Sequence, residues 1–402
     1  MIEQFDTIYQ RLLATQHSTL HRYLYEKLDL SNRMIGLIGP RGVGKTTLLL
    51  QYIKTHLYQH GNAFYFSADH LYFSHNTLLD FVDDLYLHRG IRYFFIDEIS
   101  RYPNWNQELK NIYDAYPDAH IIFSGSSSLN LTKGSYDLSR RAILYYLHGL
   151  SFREYLHFIG HTPEPAIAFD TLQTQPVQTL SETTTLPGLM GHFAHYLQYG
   201  YYPFFLESTE HYVQRIGQVI EKTIYEDIAD FYQLKTNNLH LFKTLLNFLA
   251  TISPGKLSIN VLSQNIGLDH KTTTHYLNML NDTGLIRLLY ADGIGNASLR
   301  RPQKAYLHNP NLYHAINVHL GETAPMGSVR EAHFLAMTSA AGLKPHYTKM
   351  GDFVINQCHF EIGGKNKTRK QLKNTQEGFI VKDDTLYGHK GCIPLWQTGF
   401  LY

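Results

Sequence analysis

The sequence predicts an α/β protein: a parallel sheet covered by helices on both faces, then a helical region, then a smaller α+β unit. Three observations carry this. Five short apolar runs, aromatic or β-branched and bounded by glycine or polar residues, occupy Met34–Gly39, Ala63–Asp69, Tyr93–Glu98, His120–Gly125 and Ala142–Leu147. Helical patterns separate most of them, at Lys45–Gln59, Thr77–His88 and Trp105–Ala115. Strand and helix alternating at this spacing is the mark of parallel strands buried on both faces. Beyond residue 236 the order changes to three helices and then short strands.

The elements follow in chain order. Residues 1–30 read as one amphipathic helix, because Phe5, Ile8, Leu12, Leu20 and Leu24 recur near helical spacing. Residues 31–158 are the α/β domain. Residues 159–235 are a linker and helical lid: Gly160–Pro187 is rich in Thr, Gln and Pro and reads as an exposed insertion, with helices at Leu189–Tyr199 and His211–Phe231. Residues 236–310 run helix (Leu239–Thr251), helix (Ser258–Ile266), turn (Gly267–Asp269), helix (His270–Asp282) and strand (Leu285–Leu289), an order like that of a winged helix-turn-helix. Residues 311–402 combine a helix, Ser328–Ala341, with short strands.

Composition removes several classes. Apolar residues make up 44% of the 402, enough for packed cores, which argues against wholesale disorder. Lys and Arg number 35 against 34 Asp and Glu, so the chain has no globally basic coat and nucleic-acid binding would need a local patch. Two cysteines, Cys358 and Cys392, cannot form a disulfide framework, which fits a reducing cytoplasm. Both are expected to be packed thiols. No apolar run approaches the roughly 18 residues of a membrane span, and the early acids of MIEQFDTIYQ argue against a signal peptide. The 24 histidines include no pair flanked by a third ligand, so no zinc site is expected.

The strongest chemical signal is Gly39–Thr46, GPRGVGKT, with an apolar strand before it and an apolar helix after it. It fits the phosphate-binding pattern G-x-x-x-x-G-K-[ST] in full. Gly42 and Gly44 allow the backbone of Gly39, Pro40, Arg41, Gly42, Val43 and Gly44 to curl, so that amides point inward at phosphate oxygens. The helix N-terminus adds partial positive charge. Lys45 should reach the β- and γ-phosphates, Thr46 should offer a hydroxyl to Mg²⁺, and Thr47 should lie near the α-phosphate. A plain glycine turn before a helix is the bland alternative.

Such a loop needs an acid on a second strand. YFFIDE supplies Asp97, expected to hold Mg²⁺ through water, and Glu98, placed to polarise an attacking water. In HIIFSGSSS, Ser124 or Ser126 would sense the γ-phosphate, or Ser126–Ser128 would cap a helix. Arg140 or Arg141 would serve as an arginine finger, or the two form surface ion pairs.

Taken together, LIGPRGVGKTTLL, YFFIDEI, YPNWNQELKNIYD, IIFSGSSSLNL, LSRRAILYYLHGLSFREYL, YGYYPFF and FEIGGKNK resemble a prokaryotic AAA-type ATPase family, near the STAND branch, that ends in a domain of unknown function. The resemblance implies an ATPase core followed by a winged helix, and a C-terminal domain with a restriction-endonuclease-type fold. It also implies a lid proline that packs on adenine, for which Pro203 is the candidate. The nuclease signature of that fold would fall on Glu331, Asp352 and Glu361. Two residues after Glu361 stands Gly363 where the signature has lysine, and Lys365 is the nearest substitute if the strand continues. A degenerate structural or binding module is therefore expected, with an active nuclease as the alternative. The basic run Lys365, Lys367, Arg369, Lys370 and Lys373 would track a nucleic-acid backbone, or form a solvated face. Within His270–Asp282 only Lys271 is basic at neutral pH, so that helix is not expected to read DNA sequence.

The combined expectation is a cytoplasmic, Mg²⁺-dependent ATPase that works as a nucleotide-controlled conformational switch on an unknown protein partner, with homo-oligomerisation left open by Arg140 and Arg141. The alternatives are an ATP-regulated nuclease and a slow-turnover interaction module.

Overall fold

The computed structural model describes residues 2–16, 20–125, 138, 140–174, 180–234, 238–253, 257–293, 301–372, 375 and 377–402. Ser126–Ser128 and Lys373 lie outside them. The chain divides into two compact units, Met1–Gly149 and Leu150–Tyr402.

The first unit is built on five parallel strands, β1 (Met34–Ile38), β2 (Ala63–Ser67), β3 (Tyr93–Asp97), β4 (His120–Gly125) and β5 (Ile143–Tyr146), in the order β2-β3-β4-β1-β5. Every residue of β1 is buried, as expected of a strand covered on both faces. The helices between are α2 (Lys45–Tyr52), α3 (Leu78–Arg89) and α4 (Trp105–Ala115), close to their expected spans. Thr77 caps α3 by accepting the Asp80 N–H at 3.0 Å. Because all strands run one way, Ile38, Asp97 and Gly125 end at the same edge of the sheet, and that edge carries the site.

The first helix, α1, spans Ile2–Ala14 and is shorter than the expected 1–30. Past Ala14, Thr15 Oγ1 and Gln16 Nε2 both donate to the Leu12 carbonyl, at 2.8 and 3.3 Å, and close the helix end. Phe5, Tyr9 and Leu13 form its buried face. The Phe5 ring lies 4.8 Å from Phe81 and 5.9 Å from Phe73. The following segment lies along the α2 side of the unit: Lys54 Nζ donates to Gln16 O at 2.6 Å and Gln51 Nε2 to Leu20 O at 3.3 Å.

In the second unit a capping box opens the helix Phe152–Phe158: Ser151 Oγ accepts the Glu154 N–H and Glu154 accepts the Ser151 N–H, both at 3.1 Å. The stretch expected as an exposed linker, Gly160–Pro187, is largely exposed or half-buried in its described part, but Phe169, Leu172, Leu180 and Thr183 are buried. It contains the helix Phe169–Thr174, whose Phe169 and Leu172 are buried, and Phe169 lies 5.5 Å from the Phe360 ring. These scattered apolar residues anchor the stretch despite the polar composition around them. The helix expected at His211–Phe231 runs as Tyr212–Lys222, then a π-helical stretch Thr223–Ile228, then Ala229–Tyr232. Helices His240–Thr251, Ile259–Ile266 and His270–Asp282 precede an antiparallel pair, β6 (Ile286–Leu289) and β7 (Lys304–Leu307).

Two helices, Pro310–Leu320 and Met326–Ala340, lead into a mixed sheet of β8 (His346–Tyr347), β9 (Phe353–Ile355), β10 (Cys358–Gly363), β11 (Gly378–Lys382) and β12 (Cys392–Pro394), ordered β12-β11-β10-β9-β8. Asn311 is a buried organiser. Its Oδ1 accepts from Tyr201 N–H at 2.7 Å and from the Tyr212 hydroxyl, and its Nδ2 donates to Tyr196 O and Leu197 O at 3.0 and 2.9 Å.

Replacing Phe5 by Ala should cost about 3–5 kcal/mol by opening a cavity among Phe73, Phe81 and Tyr72. Thermal unfolding followed by calorimetry should show the first unit's transition falling. An unchanged transition would mean that α1 is not part of its core.

Candidate functional site

The loop after β1 turns twice through the left-handed region, at Gly42 (φ 80°) and Gly44 (φ 94°), which a side chain would strain. Gly44 caps α2, and the first helical bond runs from Leu48 N–H to Gly44 O at 3.0 Å. The amides before Leu48 thus precede any intrahelical partner. Lys45 is buried, with Nζ donating to Gly39 O at 2.8 Å and Pro40 O at 3.0 Å, so the loop closes around its own ammonium. Val43 is buried, and Thr47 is exposed on the first turn of α2.

Asp97, only 3% exposed, lies at the end of β3 beside this loop. Thr46 Oγ1 donates to its Oδ2 at 2.5 Å and the Tyr65 hydroxyl to the same oxygen at 2.9 Å. Ser124 Oγ donates to Oδ1, which also accepts the Glu98 N–H at 3.0 Å. Burial, and then the Asp97 charge, push the Tyr65 hydroxyl far above its ordinary range, so it remains a proton donor. Glu98 follows in the left-handed conformation, φ 50°, and leads into the turn Ile99–Arg101. The structure therefore brings together Lys45, Thr46, Asp97, Glu98 and Ser124 from three separate segments. Oxygen donors only, a hydroxyl beside a carboxylate, suit a hard cation such as Mg²⁺.

Two residues here were not anticipated. Tyr65, on β2 next to β3, is one. The other is Arg22, 5% exposed, whose guanidinium donates to Val43 O, to His148 O at 2.7 Å and to Gly149 O at 3.0 Å. It fastens the phosphate loop to the chain beyond β5. In the sequence its only signal was an arginine among apolar neighbours, which helical periodicity absorbed.

Other expected residues lie elsewhere. Arg140 and Arg141 precede β5, whose Ile143 pairs with Ile35, whereas the loop follows Ile38, which pairs with Tyr146. Parallel pairing puts them at the opposite edge, roughly 10–15 Å away along the strand, so neither is a finger for the loop of its own chain. Arg140 is exposed. Arg141 grips Asp114 with two bonds of 3.1 and 3.0 Å, the surface ion pair that was the alternative. Pro203 belongs to the second unit, where it opens the turn Pro203–Leu206. Tyr201, Tyr202 and Phe205 of the same motif are buried there, a packing role.

In the tail, Glu331 and Asp352 meet at one lysine and Glu361 meets another. Lys304 Nζ lies 3.2 Å from Glu331 Oε2 and 3.2 Å from Asp352 Oδ1. The Tyr306 hydroxyl donates to Glu331 Oε2 at 2.5 Å, and Ile362 N–H to Asp352 Oδ2 at 2.9 Å. Lys365 is not the lysine on Glu361. β10 ends at Gly363 and the chain turns, with Lys367 N–H donating to Gly364 O at 2.9 Å, which leaves Lys365 exposed. Lys367 instead places Nζ 2.5 Å from Glu361 Oε1, an ionic contact without the angle of a directed hydrogen bond. Burial and the Asp352 charge push the Glu331 carboxyl up to about 7, against the pull of Lys304. The basic run is thus partly committed inward: Lys367 to Glu361, and Arg369 Nη2 to Gly378 O at 2.9 Å. Cys358 and Cys392 are buried, and burial followed by Glu377 pushes the Cys358 thiol up to about 11, as befits a packed thiol.

The fold and site define a P-loop type of α/β unit, with the strand–glycine loop–helix joined to an acid on the next strand but one. Comparison with known proteins agrees in outline. Residues 31–156 match the model of an AAA domain family, AAA_14, and residues 190–323 match a domain of unknown function, DUF8612. The unknown domain therefore falls on the helical middle of the chain, and residues 324–402, expected to carry a restriction-endonuclease-type fold, match neither. No curated protein matches the chain. Among solved structures, PCH-2 of C. elegans aligns at 20% identity and TM-score 0.24 over 39% of this chain and 45% of its own. AMPPCP-bound DnaA from Aquifex aeolicus aligns at 15% and 0.27 over 65% and 85%. Domain III of DnaA from Thermotoga maritima aligns at 13% and 0.23 over 40% and 71%. The chain thus spans under half of the PCH-2 chain, and scores this low assign no activity. No helix among the described residues is long and apolar enough to cross a membrane.

Arg22→Ala should leave three carbonyls short of a donor and loosen the loop, at a cost of about 2–3 kcal/mol. Nucleotide affinity measured by calorimetry should fall at least tenfold, while Arg22→Lys recovers only part. Glu331 gives a pH signature. Its carboxyl is raised from 4.5 to about 7 on folding, so its contribution to stability is full below pH 4.5 and is lost as pH rises through about 7. Glu331→Gln should flatten urea-midpoint profiles across that window.

Proposed function

We propose that the first unit binds ATP with Mg²⁺ and hydrolyses it, and that nucleotide state changes the disposition of the C-terminal half. The observation that carries this is the contact of Thr46 Oγ1 with Asp97 Oδ2 at 2.5 Å, at the mouth of a loop that already encloses the Lys45 ammonium. Two oxygens this close, one on the loop helix and one on the acidic strand, are where a phosphate-bound Mg²⁺ would be held. Lys45 would exchange its two carbonyls for phosphate oxygens. Glu98 would accept the proton of the attacking water, while Ser124, already on Asp97, keeps the carboxylate in place. The AAA-domain match over residues 31–156 supports the same reading.

The three helices between His240 and Asp282 and the hairpin β6–β7 support a winged-helix role as a mechanical connector rather than a DNA reader.

Wild-type protein should retain labelled ATP in the presence of Mg²⁺ and release phosphate. Lys45→Ala should abolish retention. Glu98→Gln should keep it and slow phosphate release by about 10²–10⁴-fold. Wild type that fails to retain ATP would overturn the binding reading, and Glu98→Gln turning over normally would overturn the base assignment. For the switch, tryptic cleavage of the second unit should differ with and without a non-hydrolysable ATP analogue; identical digests would count against it.

A further inference from the structure

The carboxylates of Glu331, Asp352 and Glu361 come from a helix, the approach to β9, and β10. A hard divalent cation takes carboxylate oxygens at about 2.0–2.6 Å, and Glu331 and Asp352 are the two of these that share one partner. Here the space between Glu331 and Asp352 holds an ammonium. Lys304 Nζ bridges them at 3.2 Å on each side and the residue is 8% exposed. The neighbouring acceptor positions are also filled, by the Tyr306 hydroxyl on Glu331 and the Ile362 amide on Asp352. Lys304 and Tyr306 stand two apart on β7, so one face of that strand delivers both donors.

The second cation, Lys367, is more exposed than Lys304, its side chain 31% accessible against 10%. A side chain at Gly363 would run into Lys367, since a Cβ there would lie 2.6 Å from Lys367 Cδ and 2.7 Å from Cγ. The Lys367 stem occupies the place that a residue-363 side chain would take, and its ammonium reaches Glu361. Glu361 is 0% exposed, and its Oε2 has no hydrogen-bond partner among the described residues. Nor do three His, Cys, Asp or Glu side chains among those residues come together as a metal would require.

We propose that Lys304 is a tethered counter-ion standing where a divalent cation would sit, so that this centre takes up no Mg²⁺ or Mn²⁺, does not cleave phosphodiesters, and instead locks the β6–β7 hairpin onto the C-terminal sheet. The main chain follows the same seam, with Tyr347 N–H donating to Tyr290 O at 2.7 Å. A buried ion pair of this kind adds little net stability, but losing one partner leaves an uncompensated charge, which suits a fastening.

The test is Mn²⁺ titration by electron paramagnetic resonance on the nucleotide-free full chain, comparing wild type, Asp352→Asn, Lys304→Ala and the double variant. Wild type and Asp352→Asn should bind Mn²⁺ alike. Lys304→Ala should gain one site per chain, and the double variant should lose it. A wild-type site that Asp352→Asn removes would overturn the proposal, as would a folded Lys304→Ala that gains none. Should Lys304→Ala not fold, the wild-type and Asp352→Asn pair decides the question alone. Hydrogen exchange supplies the fastening readout: in Lys304→Ala, amides of β6, β7 and β8 should exchange at least tenfold faster while those of β1–β4 do not change. Equal rates in β6–β8 would remove the lock.

Discussion

Asp97 receives hydrogen bonds from three side chains that arrive on three different elements: Thr46 from α2, Tyr65 from β2 and Ser124 from β4. A carboxylate this far from water is tolerable only if donors surround it. Two of those donors come from the strands on either side of β3, so the sheet order is what makes the charge affordable. The third belongs to the helix that follows the glycine loop. One buried charge thus indexes the phosphate loop against the acidic strand, and the hydroxyl–carboxylate pair at the centre of the candidate site is a product of that indexing.

Among the described residues two lysines are buried, and in opposite ways. Lys45 is answered by carbonyls of its own loop, neutral acceptors that can be exchanged for a more negative ligand. Lys304 is answered by carboxylates, which already supply the full opposite charge. The first arrangement is open to a polyanion and the second is closed to a further cation.

Much of this was legible in the residues. β4, α4, the helix Leu189–Tyr199 and the helix His270–Asp282 fall on their expected residues because their apolar patterns are strong, and Asp269 caps the last of them. The glycine loop and Asp97 were legible because their chemistry is local. What was not legible depends on tertiary contact. Arg22 and Tyr65 matter only because distant backbone and the Asp97 carboxylate lie beside them. Arg140 and Arg141 looked apt because they precede a strand, but strand direction sends them to the far edge. Lys365 was judged as if β10 continued, and the turn at Gly364 gave its place to Lys367. Phe169 sat in a stretch whose average composition said loop, yet a single aromatic with a partner anchors it.

The Arg22 contacts have a mechanical corollary. Val43 O, His148 O and Gly149 O share one guanidinium carried by the arm between α1 and β1. A tug on that arm of even an ångström withdraws the guanidinium from all three acceptors together. The arm and the phosphate loop are therefore coupled through one group, and a displacement of residue 22 is transmitted directly to Val43.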